Sequence, residues 1–249
     1  TTLIGTGAFK LDSYQTGVGA TLSRFDDYHG GAVALSGLDY KFIEDVNTQV
    51  LEYQKGNVDY VDVDPSIYPV YSSNPDLKDQ MHGFQPTGCY SLNVNSKTYS
   101  DPKVREAIAL SIDRKAICES ILHGTATVPT SYIPAGIIGH DDSLPEFEYD
   151  PEKAKSMLEA AGWDSNRELQ VLVSTGNEVR EKSAILIQQD LQKIGIKTKI
   201  QTLDFPTLLT NARNGDYDLC FIGSAGSVDP SESVPNVTAG YMNNFAQLS

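Results

Sequence analysis

The clearest hydrophobic pattern of this chain lies in its last third. Glu168–Ser174 is a short run rich in β-forming residues, Ile196–Leu203 alternates with period two, and Tyr217–Ile222 is almost continuously apolar. Between these runs, Glu178–Ile194 carries apolar residues at three- and four-residue spacing, which is typical of an amphipathic helix. Phe205–Asn214 is predicted to be helical as well. The order is therefore strand, helix, strand, helix, strand, and we expect a parallel α/β sheet.

Short helical crossovers of this kind are right-handed, and ligands collect beyond the carboxyl ends of the parallel strands. The three predicted strand ends are Ser174–Asn177, Asp204–Pro206 and Gly223–Asp229. None of them carries a recognisable catalytic set of side chains. The pattern therefore favours a binding protein over an enzyme.

The first 88 residues are predicted to be rich in strands. A glycine turn that runs into a strand, followed by two further strands, occupies Gly5–Leu11, Ala20–Phe25 and Leu38–Ile43. Asn47 is predicted to cap a short helix that ends near Gly56. Val58–Val63 alternates with period two and is predicted to be a fourth strand.

From residue 89 onward, strand and helix signals alternate. Cys89–Val94 is predicted to be a strand, and Asp101 and Asp150 are each placed to cap a helix. A further helix is predicted to start at Asp113. Val128–Gly139 is rich in proline and glycine. An irregular loop of that length suggests a functional role.

Composition restricts the range of functions. The chain has 249 residues, of which 40% are hydrophobic and 21% charged, as in an ordinary globular protein of one large or two small domains. Its net charge of −14 repels phosphate backbones, so we expect no nucleic-acid partner. No apolar run reaches the roughly 18 residues of a membrane span. No leader is visible at Thr1, and we expect that export processing or trimming removed what preceded it.

No group of side chains suggests a metal site, a cofactor or catalysis. The three cysteines lack CxxC spacing and are predicted to be buried, inert thiols: Cys89, Cys118 and Cys220. The four histidines are scattered. The acid pairs Asp62/Asp64 and Asp141/Asp142 fit solvated turns better than the opposed carboxyls of a glycosidase. We therefore predict no metal, no cofactor and no catalytic residue.

Five stretches, in this order, resemble the family 5 extracellular solute-binding proteins, the peptide- and nickel-binding components of ABC importers. They are Gly5–Leu11, Arg24–Gly31, Ser100–Ile117, Tyr149–Trp163, and Leu191–Phe205 with Asn214–Gly223. The resemblance implies a two-lobed α/β fold of the type II periplasmic-binding-protein kind, with mixed sheets and flanking helices. It also implies that residues 1–88 are part of an incomplete first lobe and residues 89–249 are the second lobe.

The resemblance further implies an extracytoplasmic protein, in the periplasm or on the cell surface as a lipoprotein. Such a protein captures a peptide or similar small polar solute between its lobes and delivers it to ABC permease subunits. We expect a monomer that contacts the membrane only through a lipid anchor outside this chain. The alternative is a ligand-sensing surface receptor domain of the same fold that has no transport role.

Six residues are predicted to contact the ligand. Tyr90, Tyr132 and Asn177 offer hydroxyl and amide groups near the predicted strand ends. In peptide-binding members of the family, an aspartate after the last strand binds the peptide's amino terminus. In the matching stretch, Ser224 replaces a tryptophan, Ser227 replaces that aspartate, and Asp229 follows two residues later.

Overall fold

The structure is a computed structural model that describes residues 4–83, 88–223, 228–232 and 234–249. The chain divides into two compact units, Thr1–Ile67 and Tyr68–Ser249. This division falls before residue 68. The lobe limits expected from the sequence, 1–88 and 89–249, stay a prediction.

The first unit is built on an antiparallel sheet of three strands. Strands β1 (Phe9–Gln15), β2 (Gly19–Arg24) and β3 (Gly37–Lys41) pair in the order β1-β2-β3. The three strands predicted first from the sequence are therefore confirmed. Several apolar side chains of this sheet are exposed, among them Tyr14 at 60% and Tyr40 at 55%.

Two other predictions for the first unit are wrong. Helix α1 (Val46–Gln54) is capped by Asp45, whose Oδ1 accepts from the Thr48 N–H at 2.8 Å, and not by Asn47. Val58–Val63 forms no strand. Alternation alone does not make a strand, because the backbone also needs a ladder partner, and no described strand pairs with this segment.

The second unit contains a mixed sheet of four strands. Strands β4 (Leu92–Val94), β5 (Glu168–Ser174), β6 (Lys197–Leu203) and β7 (Leu219–Phe221) lie in the order β4-β7-β5-β6. Strand β5 is parallel to both β6 and β7, whereas β4 is antiparallel to β7. The predicted β-α-β-α-β arrangement is confirmed. Strands β4 and β7 are shorter than their apolar runs suggest.

Six helices and four single turns of 3₁₀ helix complete the described elements. The helices are α2 (Tyr68–Ser73), α3 (Pro102–Leu110), α4 (Arg114–Ser120), α5 (Pro151–Ala160), α6 (Glu178–Lys193) and α7 (Phe205–Asn214). The 3₁₀ turns are Pro65–Ile67, Lys78–Gln80, Pro230–Glu232 and Val234–Val237. The caps predicted at Asp101 and Asp150 are confirmed, because each carboxylate accepts a backbone N–H in the first turn of its helix. Asp113, where a helix was predicted to start, caps α4 in the same way. Each such cap contributes about 1 kcal/mol.

The period-two alternation of the buried strands separates two cores. Val171 and Val173 of β5 face the core formed with α3, α5 and α6. Leu172 points to the opposite face and packs with Leu208 and Ala212 of α7. The sheet is thus covered by helices on both sides, which explains why its central strands are apolar throughout.

Strand β6 forms one edge of this sheet. Lys197 and Lys199 both lie on its exposed side, while the intervening Thr198 is partly buried. The polar-apolar alternation of this strand therefore matches an edge position.

Asp218, directly before β7, connects several elements near the amino ends of the parallel strands. Its carboxylate accepts from the Tyr99 hydroxyl at 2.6 Å, from Arg167 Nη2 at 2.9 Å and from the Gln170 N–H at 2.8 Å. The Arg167 guanidinium also lies 4.9 Å from the centre of the Tyr99 ring. Burial, reinforced by the bond to Asp218, raises the pKa of Tyr99, so this phenol remains protonated as a donor.

Replacing Asp218 by Ala should lower the free energy of unfolding by about 2 kcal/mol, because three donors lose their acceptor. Asp218→Asn should cost less, since it keeps one acceptor oxygen. Urea unfolding followed by the fluorescence of Trp163, the single tryptophan, measures the change, since this ring stacks on Tyr99. The matched control is Asp216→Ala, an exposed acid two residues away, expected to stay within about 0.5 kcal/mol.

Candidate functional site

The carboxyl ends of the three parallel strands meet at one edge of the sheet of the second unit, called here the carboxyl edge. The Thr175 N–H, after β5, donates to the Leu203 carbonyl at the end of β6 at 2.8 Å. Because β4 is antiparallel, its first residues reach the same edge, and the Ile222 N–H donates to the Ser91 carbonyl at 3.0 Å. The predicted convergence of Ser174–Asn177, Asp204–Pro206 and Gly223 is thus confirmed.

Tyr90 and Tyr132 both lie beside Cys89 at this edge. Tyr90 directly follows Cys89, and its side chain is 43% exposed. Tyr132 comes from the predicted irregular loop, where the Asn236 amide and the Cys89 thiol lie close enough to affect its ionisation. Burial raises the pKa of Tyr132, which therefore remains a neutral hydroxyl at physiological pH. Contact of either tyrosine with a ligand stays a prediction.

Asn177 and Asp204 begin the two helices that follow β5 and β6. The Asn177 side-chain oxygen accepts from the Arg180 N–H at 2.9 Å, and Asp204 Oδ1 accepts from the Thr207 N–H at 3.0 Å. The amino ends of α6 and α7 therefore both lie at the carboxyl edge. Asn177 acts as a helix cap, and its predicted role in ligand binding is untested.

The remaining predicted contacts follow β7. Ser224 and Ser227 lie outside the described residues. The Asp229 carboxylate accepts from the Ser231 N–H at 2.9 Å, and hydrogen bonds to Ser231 lower the pKa of Asp229. Asp229 is therefore an ionised, exposed acid at the start of a 3₁₀ turn.

Arg180 is the residue of this edge that the sequence interpretation missed. It lies in the first turn of α6, where the helix dipole favours acids over bases. Its guanidinium lies 5.8 Å from the centre of the Tyr90 ring and donates from Nη1 to Ser174 Oγ at 3.3 Å. The available signal in the sequence was a basic residue in the first turn of a helix, where bases are disfavoured. Helical periodicity alone does not reveal the importance of that residue.

A cavity of about 360 Å³ lies elsewhere in the second unit, lined by parts of residues 112–119, 128–130 and 145–149. The Asp113 N–H in its wall donates to Asp190 Oδ2, in the last turn of α6, at 2.9 Å. The cavity therefore adjoins the carboxyl end of α6, whereas the candidate site lies at the amino end of that helix.

The described residues also bear on metal binding and on membrane insertion. No three His, Cys, Asp or Glu side chains within them are grouped so as to hold a metal ion. Every helix within them is too short or too polar to cross a lipid bilayer.

The mixed α/β fold is that of part of a type II periplasmic binding protein. The family described as "Bacterial extracellular solute-binding proteins, family 5 Middle" matches residues 1–244, and the chain belongs to that family.

The chain is similar in sequence to the oligopeptide-binding protein AppA of Bacillus subtilis (strain 168). It is 31% identical to that protein over 247 residues, which cover 92% of this chain and 45% of AppA. The structure of B. subtilis AppA in complex with a nonapeptide matches with a TM-score of 0.77 at 25% identity, covering 98% of this chain and 52% of that one.

A second solved structure, AgaA from A. tumefaciens R10 in complex with agropinic acid, matches with a TM-score of 0.75 at 30% identity. That match covers 94% of this chain and 48% of AgaA. The chain thus spans about half the length of the relatives that it matches.

Gly223 brings β7 and the segment before β4 together at the carboxyl edge. A Cβ placed on Gly223 would lie 1.9 Å from the Cys89 carbonyl oxygen, a backbone atom that cannot move aside by rotation. Gly223→Ala should therefore destabilise the protein by about 1–3 kcal/mol. Chemical denaturation measures this change, with Gly83→Ala as control because a Cβ there meets no atom within 4 Å. Equal stability of the two variants would contradict the packing described.

The three cysteines should differ in reactivity. The prediction that all three are buried is wrong for Cys89 and Cys118, which are half-buried, whereas Cys220 is buried. Burial raises the pKa of Cys220 to about 12, against the opposing effect of the nearby Arg180 cation. At pH 8 only roughly one Cys220 thiol in ten thousand is ionised, so a thiol reagent should modify Cys220 last. Peptide mapping by mass spectrometry after timed alkylation tests this order, and urea should abolish the difference.

Proposed function

We propose that this chain is part of the substrate-binding component of an ABC importer that captures a peptide or similar small polar solute. The observation that carries the proposal is the carboxyl edge itself. It gathers two tyrosines, two capped helix amino ends and a guanidinium beside a parallel sheet. The name of the B. subtilis relative, an oligopeptide-binding protein, supports a peptide as ligand.

The ligand contacts proposed at this edge are Tyr90, Tyr132, Asn177, Ser224, Ser227 and Asp229. The tyrosine rings offer apolar faces as well as hydroxyl groups, and amphipathic side chains of this kind suit a solute with both characters. Binding comes from removing the solute from water between two lobes, and the lobes then close by a hinge motion. The protein acts by this closure and carries out no catalysis.

The complete protein works outside the cytoplasm, in the periplasm or at the cell surface. We propose a monomer held to the membrane only by a lipid anchor, which passes its solute to ABC permease subunits. The description of the family as extracellular supports this location.

Native mass spectrometry tests the proposal directly. The chain is mixed with an equimolar library of free-acid di- and tripeptides, and the masses that remain bound are read after gentle ionisation. Retention of peptides in a saturable, one-to-one ratio is the expected result. A chain that retains none of them at millimolar concentration contradicts peptide capture.

Tyr132→Phe should weaken binding of a retained peptide about three- to tenfold, because the ligand loses one hydrogen bond to the hydroxyl. Calorimetric titration measures the dissociation constant. Tyr149→Phe is the matched control, since Tyr149 lines the separate cavity near the carboxyl end of α6. Equal effects of the two substitutions would remove Tyr132 from the site.

A further inference from the structure

We infer that Arg180 binds an anionic group of the ligand, and that this group is a carboxylate. The inference rests on the proposed function and specifies the chemistry of the solute at the same edge. It starts from a guanidinium whose hydrogen-bonding capacity is largely unused.

The guanidinium of Arg180 has five N–H donors and no acceptor of its own. Among the described residues, its side chain makes one hydrogen bond, from Nη1 to Ser174 Oγ at 3.3 Å. Its Nε is buried and has no partner there. A buried donor without an acceptor is unfavourable, and an acceptor that arrives with the ligand at this guanidinium would relieve part of that cost.

No carboxylate of the described residues lies within ion-pair distance of this guanidinium. The two acids nearest in sequence are engaged elsewhere. Glu178 pairs with Lys182, and Glu181 Oε1 accepts from the Gly176 N–H at 3.1 Å. The segments outside the description contain no Asp or Glu. This cation is thus left without a carboxylate in a chain of 33 acids and 19 bases.

Arg167 shows what a structural arginine looks like in the same unit. It too lies over a tyrosine ring, at 4.9 Å from the centre of Tyr99, but it also forms an ion pair with Asp218 at 2.9 Å. Arg180 has the ring of Tyr90 without the carboxylate. The missing component of the arrangement is the one that a carboxylate ligand would supply.

The surroundings of Arg180 suit a carboxylate that enters from solvent. The guanidinium is only partly exposed, and the exposed ring of Tyr90 lies beside it. A planar guanidinium forms two parallel bonds to a carboxylate, and such pairs are about twice as strong as neutral hydrogen bonds. The first turn of α6 adds a positive field.

The test is an NMR titration that reads the Arg180 side chain itself. The chain is labelled with ¹⁵N, and the Nε–H signal of Arg180, assigned by its loss in Arg180→Gln, is followed during titration with N-acetylalanine. N-acetylalaninamide, which replaces the carboxylate by a neutral amide, is the matched probe.

We expect a saturable shift of the Arg180 signal with N-acetylalanine and none with the amide. Binding, followed through backbone signals, should weaken about 10- to 100-fold in Arg180→Gln and less in Arg180→Lys. Arg213→Gln should change nothing, since Arg213 is an exposed arginine on α7. Urea unfolding of each variant excludes loss of fold as the cause.

An unchanged Arg180 signal, or equal shifts with both probes, overturns the inference. The peptide-library experiment separates this failure from failure of the proposed function. Peptides retained equally by the wild-type chain and Arg180→Gln would leave peptide capture standing and remove the carboxylate contact. A saturable response to N-acetylalanine without peptide retention would do the reverse.

Discussion

The parallel pairing of β5 with β6 and β7 is the constraint on which the site depends. Parallel strands cannot be joined by tight turns, so each must be followed by a crossover that returns the chain to the other end of the sheet. The helices α6 and α7 are these crossovers, and they bring their amino ends to the same edge. Because β4 is antiparallel to β7, the segment before it brings Tyr90 to that edge without a further helix.

The two edges of this sheet use the same residue types differently. At the amino edge, Arg167, Tyr99 and Asp218 satisfy one another and fix the strand ends. At the carboxyl edge, Arg180 and Tyr90 have the same mutual arrangement without the acid. The arginine that is paired with a carboxylate stabilises the fold. An arginine without that carboxylate can gain binding free energy when a ligand supplies the acceptor. The contrast separates the structural end of the sheet from its proposed binding end.

Much of the fold could be predicted because local signals agreed with the tertiary structure. The β5-to-β7 run and the aspartate caps are specified by residues within a few positions of one another. Val58–Val63 was mispredicted because strand formation depends on a distant partner that periodicity does not report. The site was harder still. Arg180 looks like an ordinary surface base in the helical pattern, and its significance comes from Ser174, Tyr90 and the absence of a nearby acid, all set by tertiary contacts.

Within the described part of the chain, the outer strand β6 pairs with another strand on one side only. Such an outer strand could recruit a strand from another molecule and start aggregation. Lys197 and Lys199 place two like charges along it. A second copy approaching in register would bring ammonium groups together, which is unfavourable in the absence of counter-charges. Two like charges along this strand therefore disfavour its pairing with a second copy of itself.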